Sequence, residues 1–307
     1  MNIKKALVLG LFLSCQSVIA APLAYDLQAK KVAENTWIFK GKLEDFSNKN
    51  GGNIVNTGFI ETEVGVVVID TGPSLRYGKE MRKAIEQITK KPIKYVFNTH
   101  HHPDHFLGNQ AFSDIDIYSL PKTKSQLAQH GNAFAENMYR LVGDWMRSTE
   151  AQLPTKTIDT TGLKLGSHHL KLMPFTGHTG SDLVIFDEKT GVLFASDMVF
   201  YQRALTTPHT PGIQLWRDEI SKLKAINYKV LIPGHGPISA NTAPLDQMSA
   251  YLNWLDNTLI AAAKAGLSMN EVIKLPISDE FTGIKLSRYE FVRTVAHLYP
   301  EYEERFF

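Results

Sequence analysis

The chain has 307 residues, 43% of them hydrophobic and 21% charged, with a formal net charge of +2. That balance suits one large or two small globular domains and excludes the disordered class, which combines low hydrophobicity with high net charge. It also lacks the basic footprint of a nucleic-acid enzyme, so a small-molecule ligand is expected rather than DNA or RNA.

Residues 1–20 read as a secretory signal. Lys4 and Lys5 form its basic start, 6–14 its short apolar core, and Val18-Ile19-Ala20 fits the small-residue cleavage rule. The apolar run is too short to span a bilayer, and no later segment reaches the roughly 20 residues that a span requires. The expected location is therefore periplasmic or secreted. Cys15 is the only cysteine and lies inside the signal. The mature chain is then expected to hold neither a disulfide nor a zinc thiolate. Acylation of Cys15 is the minor alternative, because Phe12-Leu13-Ser14 is a poor lipobox.

Strand and helix signals then alternate. Segments 36–40, 53–60 and 65–70 read as strands. Gly72-Pro73 breaks the pattern, and 74–89 has helical spacing. Strands are predicted at 93–98 and 114–119. A long helix follows over 121–146, with Phe134, Met138, Leu141, Val142 and Trp145 on one face. Strands return at 170–175, 183–187 and 192–196. Helix 216–226 precedes strand 229–232. This alternation supports the α/β class. Residues 242–307 are mostly helical, chiefly over 248–265 and 287–304. These helices are expected to dock on the preceding domain and to offer a surface for oligomer formation.

The most informative segment is Thr99-His100-His101-His102-Pro103-Asp104-His105. His100, His102, Asp104 and His105 are donors of the kinds zinc favours. Four within six residues are too many for one tight tetrahedral site, so two sites are expected. More donors follow downstream, each where a short apolar strand runs into a turn. They are His178 in Gly177-His178-Thr179-Gly180, Asp197 after Ser196, and His235 in Pro233-Gly234-His235-Gly236. Strand ends are rigid, so side chains there converge from distant parts of the chain. A histidine-rich surface loop would require none of this. His101 is out of phase with its neighbours and is expected to point away from the metals, while His168 and His169 are expected to be solvated. Asp70 in Asp70-Thr71-Gly72 reads as a turn-capping carboxylate. No Gly-x-Ser-x-Gly nucleophile motif is present.

The order Asp70, His100-x-His102-x-Asp104-His105, His178, Asp197, His235 resembles the five motifs of the metallo-β-lactamase superfamily. That resemblance implies a four-layer αββα sandwich (α/β, in the α+β sense) over 33–250, with a helical C-terminal extension over 251–307 packed on it. It implies two zinc ions per chain, expected ahead of iron or manganese. His100, His102 and His178 would hold one, Asp104, His105 and His235 the other, and Asp197 would bridge them. A metal-bridging hydroxide would attack a carbonyl carbon, with Asp104 as the catalytic residue that orients it and takes up its proton. Asp70 would pin the metal loop by hydrogen bonds, and His209 is either a plain surface-loop histidine or, in a segment that often contributes to the substrate side, part of the site. Ser196 departs from the glycine usual before the bridging aspartate.

Zinc β-lactamases usually carry cysteine or a non-ligand residue at the position of Asp197. An ester-like substrate of the thioester or lactone class is therefore expected before a β-lactam. Segments 99–112, 143–146 and 206–209 also resemble the exported zinc metallohydrolases that accompany quinoprotein alcohol-oxidising systems. Two alternatives stand beside the hydrolase: a class B-type β-lactamase, and a non-catalytic metal- or partner-binding accessory of a periplasmic quinoprotein system. Iron flavoproteins of the superfamily replace one motif histidine by glutamate, which His102 contradicts. N-terminal sequencing of exported protein should return a start near Ala21, whereas a start at an acylated Cys15 would establish the lipoprotein reading.

Overall fold

The computed structural model describes residues 23–306; the expected signal at 1–20, with Cys15, lies outside them. One sheet has seven strands in sequential order: β1 (Ala29–Ala33), β2 (Thr36–Phe39), β3 (Thr57–Glu61), β4 (Val66–Ile69), β5 (Ile93–Phe97), β6 (Ile117–Ser119) and β7 (Lys156–Thr157). Pairs from β1 to β4 are antiparallel, and those from β4 to β7 are parallel. The other sheet has five strands: β8 (Gly162–Leu165), β9 (His168–Phe175), β10 (Asp182–Asp187), β11 (Val192–Phe200) and β12 (Val230–His235). Only β11 and β12 pair in parallel there.

Parallel neighbours need a crossover connection. Helix α1 (Leu75–Ile88) provides it between β4 and β5, opened by Ser74, whose hydroxyl accepts from Tyr77 N. The one-turn α2 (Pro103–Phe106) and the long α3 (Pro121–Val142) follow, and α4 (Ile213–Lys224) crosses from β11 to β12. The C-terminal part comprises α5 (Ala243–Lys264), the short α6 (Met269–Val272) and α7 (Asp279–Thr282), and α8 (Ser287–Phe306). No described helix is long and apolar enough to cross a membrane.

Alternation along the strands builds the layers. In β4, Val66 and Val68 pack with Tyr77, Met81 and Ile85 of α1, while Val67 and Ile69 enter the core between the sheets. In β11, Val192 and Phe194 enter that same inter-sheet core. Leu193 and Ala195 face the opposite way, into a cluster with Trp216 of α4, Leu252 of α5 and Phe291 of α8. The result is the expected αββα sandwich. Helix α5 runs unbroken through position 250, and α8 packs in the same outer layer.

Several local expectations differ from the structure. The strand predicted over 53–60 begins only at Thr57, because Asn56 serves another purpose. Its amide donates to Pro233 O and Gly236 O, both at 2.8 Å, and its carbonyl oxygen accepts from Gly41 N at 3.1 Å. The helix predicted to reach residue 146 ends at Val142, where Gly143 turns to φ 65° and a 3-10 turn takes over. Strand β11 extends to Phe200 by way of a bulge at Ser196, whose φ is 47°. His168 is not solvated. It is fully buried, with Nδ1 3.0 Å from Asp187 Oδ2, because its place on β9 faces inward. His169, one residue on, faces out beside Glu188.

Phe194 sits between the sheets against Gly58, where a Cβ would lie 2.7 Å from the ring. Phe194→Ala should destabilise the fold by about 3–5 kcal/mol, read as a lower urea midpoint with an unchanged slope.

Candidate metal centre

Strand β5 ends at Phe97, and the chain then turns through the histidine segment. His102 keeps an extended backbone (φ −76°, ψ 149°) and caps α2, whose first residue is Pro103. That single helical turn brings Asp104 and His105 back beneath His100. Asp70, at the end of the adjacent β4, accepts three hydrogen bonds from the segment. Thr99 N donates to Oδ1, and Thr99 Oγ1 and His105 Nδ1 donate to Oδ2, each at 2.8 Å. With Nδ1 committed to Asp70, His105 presents Nε2, 3.1 Å from Asp197 Oδ1 and 3.7 Å from Asp104 Oδ2. Thr99 Oγ1 also lies 2.7 Å from Ser196 Oγ. The serine at this position thus ties the histidine loop to β11.

The other donors come from the second sheet. His235, at the end of β12, donates from Nδ1 to Ile54 O at 2.9 Å, and its Nε2 lies 3.1 Å from Asp197 Oδ2 and 3.4 Å from Asp104 Oδ2. Its neighbour Gly234 cannot carry a side chain, since a Cβ would stand 1.9 Å from Asp197 Oδ1. His178 sits on a turn closed by Asp182, which accepts from Gly177 N, Thr179 N and Thr179 Oγ1. Burial pushes the Asp182 carboxyl up to about 7, against those hydrogen bonds. His178 Nε2 lies 3.3 Å from Asp197 Oδ2 and 2.7 Å from His102 Nδ1, and His100 Nε2 lies 3.9 Å from Asp197 Oδ2.

Three groups of potential metal donors emerge among the described residues. His100, His102, His178 and Asp197 form one, Asp104, His105 and His235 a second, and His101, His102 and His209 a third, with the donor atoms of each group within 4.8 Å of one another. Asp197 contacts histidines of the first two groups. Those two bring together the residues that the sequence singled out. Buried polar atoms normally have partners, yet His100 Nε2, His105 Nε2 and Asp197 Oδ1 are buried without a hydrogen bond, as is His178 Nδ1. Lone pairs gathered at a largely buried site fit divalent cations. Burial, followed by neighbouring imidazoles, holds His100 and His102 well below the ordinary histidine range and His178 at about 3, so all three are neutral donors. Burial would raise the Asp197 carboxyl, but His235, His105 and His178 outweigh it and keep the group ionised. For His105 the opposite holds: the carboxylates of Asp197, Asp70 and Asp104 overcome burial and favour a positive charge there. A metal dication would take the place of that proton.

The centre forms the floor of a cleft of about 180 Å³. Asp104, Asp197 and His235 line its base, and Phe46, Ile54 and Phe134 give it an apolar wall. His101 is buried; it lies outside the first two donor groups but falls in the third, beside His102 and His209. His209, for which a place on the substrate side was one of two expectations, is at the cleft, but its Nδ1 also lies 2.7 Å from His102 Nε2. Arg203 and Arg293 are among the lining residues that had no sequence signal. They hold Glu290 of α8 between them, at 3.4 Å and 3.1 Å. Burial pushes the Glu290 carboxyl up to about 7, opposed by the two guanidiniums. Each is separated from the histidine segment by about a hundred residues or more, so only the fold reveals them.

A family model described as the metallo-beta-lactamase superfamily matches residues 50–235, which include every donor named above. A linear primary-alkylsulfatase of Pseudomonas sp. (strain ATCC 19151) is 22% identical over 287 residues, covering 78% of this chain and 53% of that protein. A beta-lactamase-like protein 2 homolog of Caenorhabditis elegans is 22% identical over 191 residues, covering 60% of this chain and 56% of that protein. The chain thus spans about half the length of the curated relatives it matches. Among solved structures, a metallo-beta-lactamase from Pontibacter korlensis superposes with a TM-score of 0.60 at 22% identity, covering 74% of this chain and 99% of that one. Likeness at this identity establishes a common fold.

Asp70→Asn would turn an amide N–H toward donors already directed at that position. The metal-free protein should lose about 1–3 kcal/mol of stability, measured by chemical denaturation in the presence of a chelator.

Proposed function

The chain belongs to the metallo-β-lactamase superfamily, and from that premise we propose that it is an exported dinuclear zinc hydrolase acting on an ester-like carbonyl substrate of the thioester or lactone class. The observation that carries this reading is the convergence of seven donors, six of them buried and four with orphaned atoms, on the floor of one cleft. His100, His102 and His178 would hold one ion, Asp104, His105 and His235 the other, and Asp197 would be shared. When bound, the metals supply Lewis acidity toward a substrate oxygen and bring the pKa of a coordinated water near neutrality.

The chain's own residues do the rest. Asp104 lies at the cleft base, where its carboxylate can orient the attacking water and accept its proton. Asp70 and Ile54 O fix the rings of His105 and His235, so that their Nε2 atoms need no reorganisation. Phe46, Ile54 and Phe134 give the acyl portion of a substrate an apolar wall that excludes bulk water. With the expected signal removed, no cysteine remains as an alternative nucleophile, since Cys15 is the only one in the chain. The carbonyl preference rests on Asp197, which stands where zinc β-lactamases usually differ. A second reading has a specific observation behind it. Arg203 and Arg293 at the cleft suit a sulfate ester, the substrate type in the name of the alkylsulfatase relative.

Elemental analysis of fully loaded protein should give two metals per chain, and one or fewer would overturn the dinuclear reading. Asp197→Ala should weaken the second site more than the first, because without the shared carboxylate two dications repel each other directly. Rates should be compared on thioesters, lactones, alkyl sulfates and β-lactams, with His102→Ala as the inactive control. Turnover of a penicillin or carbapenem at kcat/KM of about 10⁵ M⁻¹s⁻¹ or more, with thioesters and lactones ignored, would make the protein a β-lactamase instead.

A further inference from the structure

His209 lies on the segment between β11 and α4, outside the two donor groups assigned to the metals, and falls with His101 and His102 in the third. A neutral imidazole has one N–H and one lone pair on its two ring nitrogens. A histidine ligates reproducibly when its second nitrogen is held by a fixed partner. His105 has such a partner in Asp70, and His235 in Ile54 O. For His102 the nitrogen facing the first donor group is Nδ1, 2.7 Å from His178 Nε2. Its other nitrogen, Nε2, is 2.7 Å from His209 Nδ1. If His209 accepts there, the His102 proton must sit on Nε2 and its Nδ1 lone pair faces the centre.

The position of His209 is itself constrained. Its ring centroid is 4.9 Å from that of His101 and 6.0 Å from that of Phe134, edge-on to both. The backbone on either side is tied down. Lys285 N donates to Gln202 O at 3.0 Å, and Ala204 N to Lys285 O at 2.8 Å. The buried hydroxyls of Thr207 and Thr294 are 3.0 Å apart, and Thr210 Oγ1 donates to Gly177 O beside His178. Thr294 and Glu290, the partner of Arg203, both belong to α8.

We infer that His209 is a positioning residue for His102, holding its ring and tautomer so that Nδ1 faces the first metal, and that α8 holds His209 in place. The inference rests on His102 being a metal ligand, as proposed above. Zinc affinity of the full mature chain, by chelator competition, and the visible spectrum of the Co²⁺ form both report on the site independently of turnover. His209→Ala should weaken the first site by about 10–100-fold and alter the Co²⁺ spectrum. His209→Gln, which retains an acceptor, should recover most of the loss. His209→Phe, which retains the packing alone, should not.

Wild-type affinity in His209→Ala, with His102→Ala losing metal, would overturn this inference and leave the proposed function standing. Retention of both metals by His102→Ala would instead overturn the ligand assignment beneath it. Wild-type behaviour of His209→Phe would reduce His209 to a packing role. A third metal equivalent that His209→Ala abolishes would also overturn the inference, since His102 Nε2 would then carry a cation rather than a proton.

Discussion

A single carboxylate sets the geometry of the centre. Asp70 takes three hydrogen bonds from a loop seven residues long, and those bonds decide where Thr99 stands and which nitrogen His105 offers. Its own position follows from the sheet. Strand β4 runs parallel to β5, so the two strands end at the same edge, and Asp70 and Thr99 meet there. The second sheet repeats the arrangement, with β11 and β12 parallel and carrying Asp197 and His235. Ligand sites of α/β sheets gather at the carboxyl ends of parallel strands. Here two such edges, one from each layer of the sandwich, are brought face to face.

Gathering seven polar side chains, six of them buried, beneath a cleft is unfavourable in itself. Several donor atoms have no protein partner, and an unpaired buried polar atom carries a desolvation cost of about 1–3 kcal/mol. Hydrogen bonds behind the donors limit the damage by fixing rings and loops whose front atoms remain free. The Asn98–Asn109 amide pair does the same one step further back, with Thr71 joining it at Asn109. A site of this kind is strained without cations, and ligand binding to the native state alone adds to its stability. Folding and metal loading are therefore coupled through the same residues.

Much of the centre was legible in the sequence because its donors cluster in one short segment and recur where apolar runs stop. Strand β4 was equally readable, as an unbroken run of β-branched residues from Val66 to Ile69. What escaped was whatever depends on a partner far along the chain. Asn56 looked like part of a strand until its amide was seen holding the His235 turn. His168 carries no local sign that it faces inward toward Asp187. The placement of Arg203 against Glu290, and of His209 against His102, emerges only when α8 and the loop after β11 meet. Short-range pattern reports the ligands, while their supports are set by tertiary contact.

The outer face of the second sheet has one more consequence. Kinship is recognisable over residues 50–235, a segment that contains every metal donor and looks self-sufficient. Yet Leu193 and Leu231 share their cluster with Leu252, Leu255, Phe291 and Tyr299, which all lie beyond it. A fragment trimmed to the ancestral segment would leave a wide greasy surface facing water and invite aggregation. The stretch of chain that heredity marks as the unit is thus smaller than the one that closes this core.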